Sequence, residues 1–298
     1  MEQLIYAFSS EVTNPETMLL VESIREFGGS LSNCPIWLFT MKNREEIPED
    51  ILVKLGKLSV KIFTLELEPE IAKFPFVGHV YAAKKAEEMA INKSKFLVYL
   101  GTNSIFVQKP KLFLLEEGKN LGYRPVHHIL IGSKFDQPLD KFWSLIYEKT
   151  EVTEDMLFPM QTHVDGNIIR PYINSGYLVV RPERGFFSEW WRNYKLHYND
   201  SEFEEFYNKD DLYLTFIHQA ILSGVFLSFL KREEIRELPF EYNYPINLYL
   251  EASENFKPKR LNQLVTIRYY LEKIKSLDDY KQIPFEEPLR SWLSKRIH

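Results

Sequence analysis

The residues of this chain best placed to bind a ligand form the polar tripeptide Gly101-Thr102-Asn103, which lies between the apolar runs 96–100 and 105–107. An apolar run that ends in polar residues is typical of a buried strand whose end opens onto a site. Hydroxyl, amide and backbone N–H groups can hydrogen-bond to a polar ligand, and glycine lets a ligand approach the backbone closely. The alternative interpretation is an ordinary turn between two strands, because glycine and asparagine are common turn residues.

Strands and helices that would position this tripeptide alternate along the first half of the chain. Asn14 and Pro15 are typical of a helix start, as N-cap and first helical residue. This order predicts an α/β fold with a mostly parallel central sheet flanked by helices, in which ligands bind outside the carboxyl ends of the strands. The predicted strands are residues 4–9, 36–40, 60–65 and 96–100, and a further helix is predicted over 77–91.

The second half of the chain has a less regular pattern. A short buried strand is predicted over residues 177–180, after a turn at Asn174-Ser175-Gly176. A helix is predicted from about Asp210 to Ser223, ending at Gly224. No repeat or Pro/Gly/Ser-rich linker marks a boundary, so residues 1–298 are expected to form a single domain.

Composition limits the classes of protein and of partner. The formal net charge of −5 and the scattered basic residues predict no nucleic-acid partner. No run approaches the roughly 18 apolar residues of a membrane span, and the N-terminus lacks the pattern of a signal peptide. We therefore expect a cytoplasmic protein without a membrane span. The one cysteine, Cys34, is expected to be a structural thiol.

Four segments, in this order, resemble nucleotide-sugar glycosyltransferases of the GT-A fold, family 8 type. The tripeptide at 101–103 stands where those enzymes have Asp-x-Asp at the end of the central strand. Asn174-Ser175-Gly176 matches their Asn-[Ala/Ser]-Gly. The remaining matches are His218-Gln219 in place of Asp-Gln, and Leu238-Pro239 followed by Tyr242-Asn243.

The resemblance implies a GT-A-like fold and a nucleotide-sugar substrate. It implies a nucleotide-binding half, residues 1–125, and an acceptor-side half, residues 126–298. Lys84 is the candidate basic residue near the donor ribose and phosphates, and the end of the first strand is expected to hold the nucleobase. The implied donor-binding residues are Ala7, Phe8, Ser9, Lys84, Gly101, Thr102, Asn103, Asn174, Ser175, Gly176 and Gln219.

The metal site of such enzymes is changed in this chain. Its two aspartates correspond to Gly101 and Asn103, and its C-terminal histidine corresponds to Arg268 in the segment 265–270. Mg²⁺ and Mn²⁺ prefer carboxylate oxygens, whereas a glycine offers no side chain and an arginine repels the ion. We predict no Asp-x-Asp-type metal and no other cofactor. Arg268, with Lys84, would then neutralise the donor diphosphate as a catalytic group.

Further polar residues are candidates for the acceptor side. His127 and His128 follow a predicted strand, and adjacent residues of an extended segment point to opposite faces, so joint metal binding is not expected. They and His218 are candidates for the acceptor side. Asp165, in the polar segment 161–175, is the candidate general base or partner of an acceptor hydroxyl. Its alternative is a solvated loop aspartate.

Three hypotheses of function follow from these patterns. The first is an active, metal-independent glycosyltransferase that stabilises the leaving diphosphate electrostatically. The second is an inactive relative that binds a nucleotide sugar or glycan. The third is a scaffold without nucleotide affinity, since a fold does not determine a function. The pattern leaves open the nucleobase, the sugar, the oligomeric state and whether the acceptor is a glycan, a lipid or a protein.

Overall fold

Seven strands form the central sheet of the protein, in the order β10-β6-β9-β4-β1-β2-β3. The computed structural model describes residues 1–269 and 286–296, so Tyr270 of the segment 265–270 lies outside the described residues. The strands of this sheet are β1 (Ile5–Ser9), β2 (Ile36–Thr40), β3 (Val60–Thr64), β4 (Leu97–Leu100), β6 (Leu121–Pro125), β9 (Ile173–Val180) and β10 (Ile235–Glu237).

The sheet is mostly parallel, as the sequence predicted. Strands β3, β2, β1 and β4 are parallel neighbours, and β6 and β10 are parallel to each other. Of the described strands of this sheet, β9 alone runs antiparallel to its neighbours, between β4 and β6. A second sheet has the order β11-β12-β5, with β5 (Ser104–Phe106), β11 (Tyr244–Pro245) and β12 (Thr266–Arg268), and β7 (Met160–Gln161) pairs with β8 (Ile168–Ile169).

Helices cover both faces of the central sheet. The alternation along β1 shows this directly, because Tyr6 and Phe8 pack into one apolar core and Ile5 and Ala7 into the other. The α-helices of the described residues are α1 (Pro15–Phe27), α2 (Glu49–Lys57), α3 (Pro69–Ala72), α4 (Val77–Ala90), α5 (Lys141–Lys149), α6 (Phe186–His197), α7 (Glu204–Lys209), α8 (Asp211–Phe229) and α9 (Leu289–Ser294).

Two boundaries differ from the prediction by more than one residue. Asn174-Ser175-Gly176 belongs to β9 and is not a turn before it, because its backbone continues the pairing of β9 and Gly176 O accepts from Gly101 N at 2.7 Å. Helix α8 continues through Gly224 to Phe229. A Cβ at Gly224 would lie 2.8 Å from Thr150 Cβ, so this glycine permits close packing and does not end the helix.

The sequence predicted no segment apolar enough for a membrane span, and helix α8 changes that expectation. Among the described residues, it is the one helix long and apolar enough to cross a membrane by length and composition, with 61% of its apolar window buried inside the protein. The buried helix of a core meets the same criterion. Ile217, Ile221 and Val225 of α8 are part of the larger apolar core.

Candidate functional site

A cleft of about 580 Å³ lies at the carboxyl ends of β1 and β4. Helices α1 and α4 begin beside it, and β9 and β12 complete it. This is the place where ligands bind in open α/β sheets. Seven of the residues predicted for the site line it: Ser9, Gly101, Thr102, Asn103, Ser175, Gly176 and Arg268.

A second cavity of about 480 Å³ adjoins this cleft, beyond Phe76 and His79. It lies at the ends of β2 and β3, and Phe39, Leu65 and Phe74 supply apolar walls. Ser9, Phe76 and His79 line both spaces. Both cavities have mixed polar and apolar linings, the cleft contains Arg268 and Glu16, and each cavity is of a size typical of small-molecule sites.

The tripeptide at 101–103 joins β4 to β5 and also lines the cleft, so it is both a turn and a part of the site. Gly101 N donates to Gly176 O at 2.7 Å, and Asn103 O accepts from Tyr269 N at 3.0 Å. The Thr102 hydroxyl lies 3.4 Å from a carboxylate oxygen of Glu16. These contacts tie the tripeptide to β9, to the end of β12 and to the start of α1.

Arg268 brings a positive charge to the same end of the sheet. Its backbone pairs with Ser104 of β5 and with Pro245 of β11. Its guanidinium Nη1 donates to Asn174 Oδ1 at 3.0 Å, and that oxygen also accepts from Gly176 N at 3.0 Å. The guanidinium is therefore held next to the backbone of Gly176, where a charged group costs no reorganisation when an anion arrives.

Two histidines beside the cleft are uncharged. Burial lowers the pKa of His79 to about 4 and that of His218 to about 3. His79 Nε2 lies 3.0 Å from Ser175 O, which can only accept, so Nε2 carries the proton. His218 Nδ1 likewise lies 2.9 Å from Thr215 O and its Nε2 lies 3.0 Å from Ser175 Oγ, so the serine hydroxyl donates to His218.

His218 and Gln219 support the cleft from behind. The His218 ring stacks on Phe76, with 4.5 Å between ring centroids, and only 2% of His218 is exposed. Gln219 Oε1 accepts from Ser175 N at 3.1 Å. The predicted acceptor-side role of His218 needs an exposed ring, and the cover of Phe76 does not provide one.

Six other predicted residues do not reach the cleft, and the first four are Ala7, Phe8, Lys84 and Asp165. Ala7 and Phe8 have no exposed surface, because strand β1 buries both of its faces, so only Ser9 at its end reaches the cleft. Lys84 Nζ pairs with Glu88 at 2.8 Å, further along α4 than His79, and it does not line the cleft.

The fourth is Asp165. It accepts from Ile129 N at 2.9 Å and from the Thr162 hydroxyl, and it lies 3.8 Å from His128 Nδ1. Burial raises the pKa of Asp165, but these hydrogen bonds outweigh burial and the pKa is lowered. Each oxygen of the carboxylate accepts a hydrogen bond within this loop, so its contacts favour a structural role in the turn between β7 and β8.

The predicted histidine pair lies beyond the cleft. His127 packs edge-on against His163, with 4.8 Å between ring centroids, and burial keeps its pKa well below the ordinary value. His128 lies between Asp165 and Glu251, whose carboxylate is 3.9 Å from His128 Nε2. The two side chains have different neighbours, as expected for adjacent residues of an extended segment.

Sequence patterns missed several residues of the cleft. Glu16 fits the pattern of a first-turn acid of α1, and it also lines the cleft. Phe76 and His79 lie at the start of α4, and Phe76 has a φ of 60°, which is uncommon for a bulky residue. The sequence feature that could have identified His79 as a cleft residue is its position near the start of the helix that precedes the central strand.

The residues at the end of β4 do not fit the divalent cation that a GT-A fold usually holds. Gly101 supplies no side chain, Asn103 supplies a neutral amide, and Arg268 is a cation. Across residues 1–269 and 286–296, no three carboxylate, histidine or cysteine groups lie close enough together to hold a metal ion.

No model of a known protein family matches this chain, and no curated protein sequence does. Solved structures do match. The glycosyltransferase GlyE of Streptococcus pneumoniae aligns at 13% identity with a TM-score of 0.50, over 100% of this chain, which spans 61% of the GlyE chain. The galactosyltransferase LgtC, in complex with donor and acceptor sugar analogs, aligns at 16% identity with a TM-score of 0.53, over 98% of this chain and 93% of LgtC. With its sheet order and the cleft at the strand ends, the chain has a GT-A-like fold.

Proposed function

We propose that this protein is a glycosyltransferase that binds a nucleotide sugar in the cleft without an Asp-x-Asp-type metal. The observation that carries the proposal is the guanidinium of Arg268, which Asn174 holds beside the backbone of Gly176 and close to the tripeptide at 101–103. Arginine binds phosphate oxygens with two parallel hydrogen bonds, so it can neutralise part of the charge of a diphosphate.

The two adjoining cavities suit the parts of such a donor. The nucleobase would enter the second cavity beside the apolar side chains of Phe39 and Leu65, and the diphosphate would lie in the cleft near Arg268. The sugar would then lie toward Ser175. The structure of LgtC, which holds donor and acceptor sugar analogs, supports this class of substrate for a chain of similar fold.

The proposed reaction transfers a hexosyl group to an acceptor hydroxyl. The bond between the anomeric carbon and the diphosphate oxygen breaks, the acceptor oxygen bonds to that carbon, and the acceptor hydroxyl passes its proton to an oxygen of the leaving diphosphate. Negative charge grows on the diphosphate as it leaves, and a cation held in advance at that position lowers the barrier. Arg268 is the candidate catalytic residue for this step.

Binding of nucleoside diphosphates is the first test. Uridine, guanosine, adenosine and thymidine diphosphates are added separately, with EDTA or with MnCl₂, and thermal unfolding is recorded. A ligand at about 100 times its Kd stabilises a protein by about 2.7 kcal/mol, so we expect one base to raise Tm by about 5 °C or more. The rise should occur in EDTA and be lost in Arg268→Ala.

The outcomes separate the three hypotheses of function. Release of the nucleoside diphosphate from its sugar donor, measured with EDTA present, supports the enzyme. Binding of the nucleotide without any release from uridine, guanosine, adenosine or thymidine donors favours an inactive binding protein. Absence of a thermal shift with every nucleotide contradicts the proposal and leaves the scaffold hypothesis. A thermal shift that requires manganese contradicts only the part of the proposal that says no metal is needed.

A further inference from the structure

A third cavity, of about 560 Å³, lies at the end of the central sheet opposite to the cleft. Its wall contains Ile235, the first residue of β10, which is parallel to β6. Strands β6 and β4 both run antiparallel to β9, so the start of β10 lies at the amino ends of these strands and the cleft lies at the carboxyl end of β4. This space, called the α8-end cavity below, is of a size typical of small-molecule sites.

Apolar side chains form the floor of the α8-end cavity. Helix α8 extends from Phe216, which lines the cleft, to a last turn that lines this cavity. The apolar lining includes Leu157, Phe158, Phe226, Phe229, Leu230 and Ile235. Phe226, Leu230 and Ile235 also belong to the larger apolar core, so the floor is continuous with the packed interior. Burial of an apolar ligand against such a floor is favourable, because it removes apolar surface from water.

Two guanidinium groups stack on aromatic rings of this cavity. Arg232 lies 3.5 Å from the ring centroid of Phe158, and Arg184 lies 4.2 Å from that of Phe229. Stacking on a ring attracts a cation and restricts its position. Arg184 Nη2 also donates to Phe229 O at 2.6 Å, which offsets the partial negative charge at the carboxyl end of α8. The helix end therefore does not repel an anion as strongly as it otherwise would.

The charged groups of the lining leave a small positive excess. Arg184 forms an ion pair with Glu234 at 2.8 Å, so these two charges balance. The other charged lining residues are Lys231, Arg232 and Asp155. Two cations and one carboxylate give a net charge of +1. Glu237 also attracts Arg232, but it pairs with Arg124 at 3.4 Å. A ligand with one negative charge is complementary to this lining.

We propose that the α8-end cavity binds a fatty acid anion, with its chain on the apolar floor and its carboxylate at Lys231 and Arg232. The floor supplies affinity for the chain, and the net positive charge favours an anionic head group over a neutral or cationic one. The residues that line this cavity and those that line the cleft do not overlap within the described part of the chain. The proposal therefore goes beyond the proposed function and does not depend on it.

The test is calorimetric titration with three probes that share one chain and differ in charge. Octanoate is the anion, 1-octanol is neutral and octyltrimethylammonium is the cation, each kept below the concentration at which it forms micelles. We expect octanoate to saturate one site and to bind about tenfold more tightly than octanol, because hydrogen bonds to a charged group are the stronger ones. Octyltrimethylammonium should bind most weakly. Absence of octanoate binding, or equal affinity for octanoate and octanol, overturns the proposal.

Three variants assign the binding to this cavity. Lys231→Glu changes the net charge of the lining from +1 to −1, so it should weaken octanoate about tenfold and strengthen octyltrimethylammonium. Lys57→Glu is the matched control, because Lys57 is likewise an exposed lysine at the carboxyl end of a helix, α2, and does not line the cavity. It should leave all three affinities unchanged. Ser228→Trp adds a large side chain at the exposed rim and should abolish octanoate binding.

Further outcomes distinguish this site from its alternatives. All three variants change exposed residues, so each should keep the Tm of the unchanged protein, which shows that it folds. Equal weakening of octanoate by Lys57→Glu and Lys231→Glu would show an effect of overall charge and contradict the assignment. Octanoate binding that survives in Ser228→Trp would place the ligand elsewhere. A dimer in light scattering that Ser228→Trp converts to a monomer would show that a second copy covers the cavity, and it would overturn the proposal.

Discussion

The histidines beside the cleft show how burial sets the chemistry of single residues. His79 and His218 each hydrogen-bond to Ser175, and burial lowers both pKa values from about 6.5 to about 4 and about 3. At neutral pH neither imidazole carries a positive charge, so neither can act as a general acid. Arg268 is thus left as the cation of the described cleft, which is the reason the proposed function depends on it.

Stability should depend on pH through these histidines. Their pKa is lower in the folded than in the unfolded chain, so their contribution is complete above about pH 6.5 and is lost as the pH falls toward the folded values. For His218 the loss by pH 4 is on the order of 3 kcal/mol. We expect urea denaturation of His218→Gln to give a lower free energy of unfolding at pH 7 but a shallower decrease toward pH 4. Parallel decreases in the two proteins would contradict this account.

At the scale of the elements, the contact of α8 with the end of α5 is set by Gly224. Alanine has a higher helix propensity than glycine, so propensity alone would favour alanine at position 224. A Cβ at this position, however, would lie 2.8 Å from Thr150 Cβ and 2.9 Å from Thr150 Cγ2. The close contact packs α8, the helix that carries His218 and Gln219, against the end of α5.

Substitution of Gly224 tests this contact. Gly224→Ala should lower the free energy of unfolding by about 1 to 3 kcal/mol, because overpacking outweighs the gain in helix propensity. Gly56→Ala in α2 is the matched control, since a Cβ at Gly56 meets nothing within 4 Å, and it should raise stability by about 0.5 to 1 kcal/mol. Guanidinium denaturation of both variants gives the comparison. Equal stabilisation by the two alanines would show that the packing is loose.

At the scale of the whole molecule, the central sheet joins both predicted halves of the chain. Strand β9, from beyond residue 126, lies between β4 and β6 of the first half. All four residues of β4 are fully buried, so removal of β9 would expose an apolar edge, which is prone to aggregation.

A fragment of residues 1–125 should therefore not fold independently. We expect it to lack a cooperative thermal transition and to associate, whereas the full chain should unfold with one transition in circular dichroism. The comparison needs both proteins at the same concentration. A soluble, monomeric fragment with cooperative unfolding would show that the nucleotide-binding half is a separate folding unit.

Much of the fold was predictable because its causes are local in the chain. The apolar run 4–8 and the Asn14 cap identified β1 and α1, and the apolar run before Gly101 identified β4. The tripeptide at 101–103 was recognisable because the polar interruption of an apolar run can be seen in the sequence alone. Helix α8 was predicted to start correctly but to end too early, since the packing of Gly224 involves a distant residue.

What the sequence by itself determined was therefore the set of elements and the polar tripeptide at the end of the central strand. Only the tertiary structure decided which side chains meet there. It brought Arg268 to Asn174 across 94 residues, placed His79 in the cleft and left Lys84 and Asp165 outside it. The physical reason is that such contacts depend on the order and direction of strands in the sheet, and these arise from packing over the whole chain.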